Sequence, residues 1–316
     1  MMKILIMALC VLAVVNVAAA TTIRGIDFDF VIIDDANNAP DTNGYGAVGY
    51  NYYISKYEIT NGQWNTFVSF AGAPTGNPSY AYDSSAYYTG DQQPTNYVSW
   101  YEAAQFCNYL TSGDKSRGVY QFSGNNVNPS DFLGIDRAAA EATYGTIYFL
   151  PTEDEWYKAA YYKPDSNDYS LYANGTDTAP LTSDTCYGQS TPYTGPWNVG
   201  TGTEEQNGTY DMMGNVWEWN ETLINSVRGI RGGAFYTGDN TLASSYRDLI
   251  SSPDYENDAI GFRVASNTCD FLMAGDLNDD CKVDLLDFAI MATNWLRNCK
   301  TDPADPACIP KTSQTD

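Results

Sequence analysis

Three helix starts are written into this chain at wide intervals, and they constrain its fold more than any other feature. Thr60 with Gln63, Ser99 with Glu102, and Thr152 with Glu155 each set a hydroxyl at an N-cap and an amide or carboxylate three residues on. In such a capping box, side chain and backbone satisfy each other's orphan groups. Apolar residues then follow at helical spacing: Trp64, Phe67 and Val68; Ala103, Phe106, Cys107 and Leu110; Trp156, Ala159 and Ala160. These faces are assigned to core packing. The rest of residues 24 to 266 is rich in Tyr, Asn, Gly and Trp. The body therefore reads as an α+β chain of short helices embedded in much loop and strand.

The 316 residues hold one large domain and a small appendage. A net charge of −23 repels phosphate backbones and anionic membranes, so nucleic-acid binding is not expected. Lys3, the apolar run Ile4 to Val17 and the small residues Ala18-Ala19-Ala20 read as a signal peptide over residues 1–20, with the mature chain starting at Thr21. No stretch of that mature chain is expected to span a bilayer. The expected location is secreted, extracellular or at the cell surface. Cys107, Cys186, Cys269, Cys281, Cys299 and Cys308 remain after cleavage, an even set that favours disulfides with fifteen pairings open. Cys281 with Cys299 is disfavoured, because an intact helix between them separates its ends by roughly 18 Å.

Six blocks stand in order along the body: Tyr57 to Phe67, Thr95 to Ala104, Phe149 to Trp156, Tyr210 to Trp219, Arg231 to Phe235 and Ile260 to Val264. Together they resemble the sulfatase-modifying-factor family, the formylglycine-generating-enzyme domain. The resemblance implies an irregular fold related to C-type lectins, with short helices, small antiparallel sheets and long loops over residues 21–266. Read physically, Gly214-Asn-Val-Trp-Glu-Trp219 alternates about one buried face, with Trp217 and Trp219 on one side and Val216 and Glu218 on the other. The resemblance implies that this segment wraps a calcium ion through the side chains of Asp211 and Glu218 and the carbonyls of Gly214 and Val216, donors suited to a hard cation. The alternative is that Glu218 pairs with an arginine such as Arg231. A second calcium site of the family falls between Tyr172 and Asn198, with Asp177 and Asp184 as candidates.

Catalytic members of that family use two cysteines just after the Arg-Gly-Gly block to bind copper and activate oxygen. Here Thr237 falls at the first position and Asn240 to Leu242 cover the second. A hydroxyl and an amide do not replace thiolates as soft copper ligands. The chain contains no histidine, which removes the related iron sites and any Ser-His-Asp or Cys-His arrangement, so no copper or iron cofactor is expected. A carboxylate-only iron or manganese site would draw on Asp239, Asp248 or Asp254. The loop from Ala234 to Asp258 and the insert from Pro74 to Thr89 carry the Tyr, Ser, Asn, Asp and Gly of a recognition surface. Tyr236, Thr237, Asn240, Tyr246 and Arg247 are its candidate ligand contacts.

Beyond a linker at 267–275, Asp276-Leu-Asn-Asp-Asp-Cys-Lys-Val-Asp-Leu-Leu-Asp287 spaces oxygen ligands as a twelve-residue EF-hand-type calcium loop does. Asp276, Asn278 and Asp280 give side chains, Lys282 its carbonyl, Asp284 binds directly or through water, and Asp287 closes the shell. Cys281 replaces the usual turn glycine, at a cost of about 1 kcal/mol. With the apolar helix that follows, residues 276–298 resemble a single-repeat dockerin, which implies attachment to a cohesin-like or cell-surface partner. Residues 299–316 form a tail without a second loop. The function expected from all this is a secreted, non-catalytic, calcium-stabilised module that binds a glycan or protein. The rival expectations are an oxidoreductase with an altered metal site and a structural surface protein.

Overall fold

The computed structural model describes residues 21–76, 85–123, 131–248 and 252–266. The expected signal peptide of 1–20, the expected calcium loop and helix of 276–298, and Cys269, Cys281, Cys299 and Cys308 lie outside the described residues.

All three capping boxes form. They open α1 (Asn61–Ala71), α2 (Trp100–Ser112) and a helix at Glu153–Tyr161. At the first, the Gln63 N–H donates to Thr60 Oγ1 at 3.2 Å and the Thr60 N–H donates back to Gln63 Oε1 at 2.9 Å. A further helix, α3 (Arg137–Tyr144), precedes that last one, which is α4. Asp136 caps α3 by accepting from the Ala139 N–H, but Ala139 itself carries no group to reciprocate, so the sequence offers no box to read. α2 is almost wholly buried and packs against α1 and two strands. Its Phe106 stacks on Trp64 at 5.8 Å and meets Phe67 and Phe262 edge-on at 5.1 and 5.4 Å. Ring pairs of this kind add about 0.5–1.5 kcal/mol each beyond area burial.

The sheets are small. β1 (Thr21–Ile23) and β2 (Ile26–Phe28) form a hairpin. β3 (Phe30–Ile33), β4 (Tyr52–Ser55), β13 (Ala265–Ser266) and β7 (Tyr148–Phe149) lie side by side in that order, all antiparallel. β5 (Tyr120–Phe122) pairs with β6 (Phe132–Ile135), and β8 (Tyr162–Lys163) with β9 (Asp168–Tyr169). The sheet that builds the site places β10 (Trp217–Ile224) between β11 (Val227–Arg231), antiparallel, and β12 (Ile260–Phe262), parallel. Only this last pairing departs from the antiparallel expectation among the described residues. It demands Gly261, since a Cβ there would lie 2.5 Å from the Thr95 carbonyl oxygen.

Two expectations need correction. The first half of β10 is buried on both faces, not one: Trp217, Glu218 and Trp219 are all buried, as is Val216 before them, because Trp156 of α4 covers Glu218 and the segment at Val98 covers Trp219, while Leu223 further along is exposed. Cys107 and Cys186 are free buried thiols, so the even-numbered disulfide set does not include them. Cys107 lies on the core face of α2, and Cys186 takes a hydrogen bond from Gln189 Nε2 at 3.2 Å.

Candidate functional site

The loop after β11 is shaped by two successive left-handed glycines, Gly232 (φ 100°) and Gly233 (φ 82°). A Cβ on Gly233 would meet Leu242 at 2.7 Å and Thr241 at 2.8 Å, so the loop folds back onto its own start. Thr237 sits at that contact. Its hydroxyl accepts from the Ala234 N–H at 2.9 Å and from the Thr241 hydroxyl at 2.7 Å, and donates to the Ala234 carbonyl at 3.0 Å. One donor and two lone pairs are thereby used, which exhausts a hydroxyl. Thr237 therefore holds the turn, and its oxygen has nothing left for a ligand or metal. Of the residues that cover the other position of the cysteine pair, Leu242 is fully buried, Thr241 partly buried and Asn240 exposed.

The far end of the loop is pinned by charge. Glu153, at the start of α4, binds Arg231 at 2.6 Å and also pairs with Arg247. Arg231 in turn donates to the carbonyls of Ser244 at 3.0 Å and Tyr246 at 2.5 Å. Arg247 is thus committed to a buried carboxylate and to the face of Tyr45, 5.2 Å away. Tyr246 is half-buried with its ring tilted over Trp217 at 5.9 Å. Of the five candidate contacts, Tyr236 and Asn240 are the exposed ones; Thr237, Tyr246 and Arg247 support them.

What the fold gathers around Tyr236 is aromatic. Tyr236 packs on Tyr193 at 5.5 Å and on Phe235 at 5.2 Å, and Tyr88 meets Phe235 edge-on at 5.4 Å, with Tyr87 beside it at 4.9 Å. Tyr87, Tyr193, Tyr236 and Tyr255 are exposed by 68, 44, 38 and 47 %. Three separate segments contribute, 85–97, 187–197 and 235–258. Burial, and the nearby Asp258 carboxylate, push the phenols of Tyr88, Tyr97 and Tyr236 above their ordinary value. They stay protonated at neutral pH, as donors and acceptors on a stacking surface. Tyr193, Tyr255 and Asp258 were not singled out by sequence; only the tyrosine density of these loops hinted at them.

The segment implied to bind calcium lies behind this surface. Glu218 binds Arg263 at 2.6 Å (Oε2 to Nε) and 2.7 Å (Oε1 to Nη2), and accepts from Trp156 Nε1 at 2.7 Å. The arginine alternative thus holds with a different partner, because Arg231 is taken by Glu153. Asp211, in a left-handed conformation, accepts from the Gly200 N–H at 2.8 Å. Gly214 donates its N–H to the Gly232 carbonyl at 2.8 Å, and Val216 donates its own to Glu58 Oε1 at 3.1 Å. Burial raises Asp211 to about 6, Glu205 to about 8, and Glu58 well above the carboxylate range. Four buried carboxylates thus interact with one guanidinium. Of the two carboxylates implied to bind calcium, Glu218 would have to share its oxygens with Arg263 and Asp211 with the Gly200 N–H. Asp177 and Asp184 close their own turns, accepting from the N–H groups of Leu171 and Leu181. No three Asp, Glu or Cys side chains among the described residues, Asp239, Asp248 and Asp254 included, cluster tightly enough to share an ion. No helix among the described residues is long and apolar enough to cross a membrane.

Comparison with known proteins accords with this architecture. A chaperone protein, LppX, from Paenibacillus barcinonensis is 27% identical over 218 residues, 62% of this chain and 73% of the relative. Among solved structures, Treponema denticola variable protein 1 superposes with a TM-score of 0.57 at 22% identity, over 79% of this chain and 98% of that one. CarF gives 0.58 at 22% over 77% and 99% of the two chains. PvdO from Pseudomonas aeruginosa gives 0.54 at 17% over 79% and 98%. These likenesses establish the fold. The model of the sulfatase-modifying factor enzyme 1-like domain matches residues 33–268, and the chain belongs to that family.

Proposed function

We propose that this chain is a non-catalytic member of its family that uses the tyrosine surface around Tyr236 to bind a glycan or a protein. The observation that carries the reading is the pair of positions where the family resemblance puts copper-binding cysteines. One is Thr237, whose hydroxyl is saturated within its own turn, and the other falls among Asn240, Thr241 and Leu242, none of which carries a thiol. Copper and oxygen chemistry has no thiolate to work from there. In its place the same face offers exposed phenols on a rigid support, which give large amphipathic contacts at little cost in side-chain entropy. A relative named as a chaperone protein is compatible with a protein ligand.

Calcium is part of the proposal. At the turn 211–218 it would be held by Asp211 and the Gly214 and Val216 carbonyls, where it would offset the surplus of buried carboxylates. At residues 276–298 it would order the dockerin-like loop through Asp276, Asn278, Asp280, Lys282, Asp284 and Asp287, and this module would attach the exported protein to a cohesin-like or cell-surface partner.

The test is incubation of the purified protein with a sulfatase-type cysteine peptide and copper under air. The expected mass spectrum shows unmodified cysteine, and formylglycine would return the protein to the oxidoreductases. In parallel, retention on polysaccharide or cell-wall fractions is expected to weaken about tenfold or more in Tyr236→Ala, as hot-spot aromatics do. Equal retention by the variant would count against the surface.

A further inference from the structure

The loops that build the tyrosine surface, 85–97, 187–197 and 235–258, contain six carboxylates and a single basic residue, Arg247, which is already bound to Glu153. The face therefore carries negative charge and has no positive side chain of its own to offset it. Asp258 lies among the rings, and its neighbours fix it there. The Asn257 carbonyl accepts from the Tyr97 N–H at 2.9 Å, and the Ala259 carbonyl accepts from the Trp217 N–H at 2.8 Å. Asn257 Oδ1 accepts from the Ala259 N–H at 3.0 Å, and its Nδ2 donates to the Tyr255 hydroxyl at 3.3 Å. Tyr97 makes its bond from a left-handed φ of 54°, a conformation uncommon for a bulky residue. The Asp258 carboxylate is near enough to Tyr88, Tyr97 and Tyr236 to add to the effect of burial on all three phenols. Yet among the described residues it has no hydrogen bond or ion pair, whereas Asp254 and Glu256 are both engaged. Asp258 is partly exposed, and neither of its oxygens is sealed from solvent.

We propose that the tyrosine surface takes a protein ligand through a cationic side chain, a lysine or arginine of the partner, which pairs with Asp258 and packs against the surrounding rings. The chemistry follows from the lining. Asp258 supplies a counter-charge that nothing in the fold uses, and a hydrogen bond between ionised groups is shorter and stronger than a neutral one. Tyrosine rings attract a cation through their quadrupole, and protonated phenols offer lone pairs to its N–H groups. Tyr236 and Tyr255 are exposed, so the approach is open. A phosphate, a sulfate or an acidic side chain would meet like charge at Asp258 and across a chain of net charge −23. A neutral sugar hydroxyl could donate to Asp258, but it leaves the field of six carboxylates unmatched. Complementary potential is what selects a partner and speeds its arrival, and here the complement is positive. This rests on the ligand-binding reading above and narrows it to a protein that presents a basic residue.

The test uses the full chain, isotope-labelled at its tyrosines for NMR, and blocked tripeptides: Gly-Lys-Gly, Gly-Arg-Gly and uncharged counterparts with norleucine or citrulline at the centre. Tyrosine shifts are expected with at least one cationic peptide. Affinity is expected to fall about tenfold for its uncharged counterpart, and about tenfold in Asp258→Asn, as for a lost hydrogen bond to a charged group. The melting temperature of Asp258→Asn is expected to hold, since the carboxylate has no internal partner. Asp165→Asn removes the same charge from the exposed turn between β8 and β9 and is expected to bind like wild type. Equal losses in the two variants would mean bulk attraction to an acidic protein and would overturn the proposal. So would equal binding of charged and uncharged peptides, or affinity that Asp258→Asn leaves unchanged. No response to either cationic peptide also overturns it; polysaccharide retention that is then lost in Tyr236→Ala but kept in Asp258→Asn would leave the same face as a glycan site. If Tyr236→Ala binds both the peptides and the cell-wall fractions as wild type does, the tyrosine surface itself falls, and this inference with it.

Discussion

Thr237 shows what the position of a residue in the sequence leaves out. Its alignment with a catalytic position made it a candidate contact, yet its three hydrogen bonds are all internal to the loop. Sequence does not reveal saturation, because that depends on where Ala234 and Thr241 turn in space. The same holds for Arg247, whose partner Glu153 lies 94 residues away. The two free thiols are a residue-scale prediction of their own. Burial pushes Cys107 well above its ordinary value and Cys186 up to about 12, so neither carries appreciable thiolate at neutral pH. Peptide mapping after iodoacetamide is expected to find both unmodified in native protein and fully modified after denaturation. Rapid native labelling of Cys107 would mean that α2 is not packed as described.

The elements were legible in proportion to how local their signals are. The capping boxes of α1, α2 and α4 each sit within four residues, and each forms; α3 went unread because its Asp136 cap has no reciprocating side chain. β10 looked half-buried because alternation cannot report that α4, with Trp156 on Glu218, covers its second face as well. α4 ties its capping box to the rest of the fold. Glu155 caps Thr152 and also binds Arg137 at 2.8 Å, and the Arg137 and Thr152 contacts hold its carboxyl below the usual 4.5 despite complete burial. A carboxylate whose pKa is depressed by folding stabilises above its unfolded pKa, and that contribution is lost as pH falls through the folded value. Glu155→Gln is therefore expected to lower stability at pH 7, with the gap to wild type closing as denaturation is measured below about pH 4.5. A gap that stays constant down to pH 2 would show that the charge is not what Glu155 contributes. Two residues earlier, Glu153→Gln leaves the buried Arg231 without its carboxylate. A loss of about 3–5 kcal/mol in urea unfolding is expected, as for other broken buried pairs. A loss under 1 kcal/mol would mean that Arg231 finds water.

At the scale of the molecule, six short blocks were enough to name the family, because each keeps a junction where strand, helix and loop meet: Gly261 against Thr95, Arg263 on Glu218, Gly233 against Leu242. What they do not encode locally is how charge is shared between blocks. The sequence offers Glu218 either a calcium ion or an arginine such as Arg231, and the fold gives it Arg263 from the last block. That pairing leaves Asp211, Glu58 and Glu205 buried around a single guanidinium, a surplus that either protons or a cation must offset. A cation would make the stability of the whole domain depend on calcium, whereas the proposed loop at 276–298 would depend on it only locally, so the two dependences are separable. Chelation is expected to lower the melting temperature of the domain, by the equivalent of about 2.7 kcal/mol if calcium had been at a hundredfold excess over its Kd. Independently, it is expected to open 276–298 to protease, because clustered carboxylates repel once the ion is gone. A truncation ending at residue 266 distinguishes the two. If its melting temperature still falls on chelation, the ion sits in the body at 211–218; if only the full chain responds, calcium belongs to the terminal loop, and the buried acids are offset by their own protons.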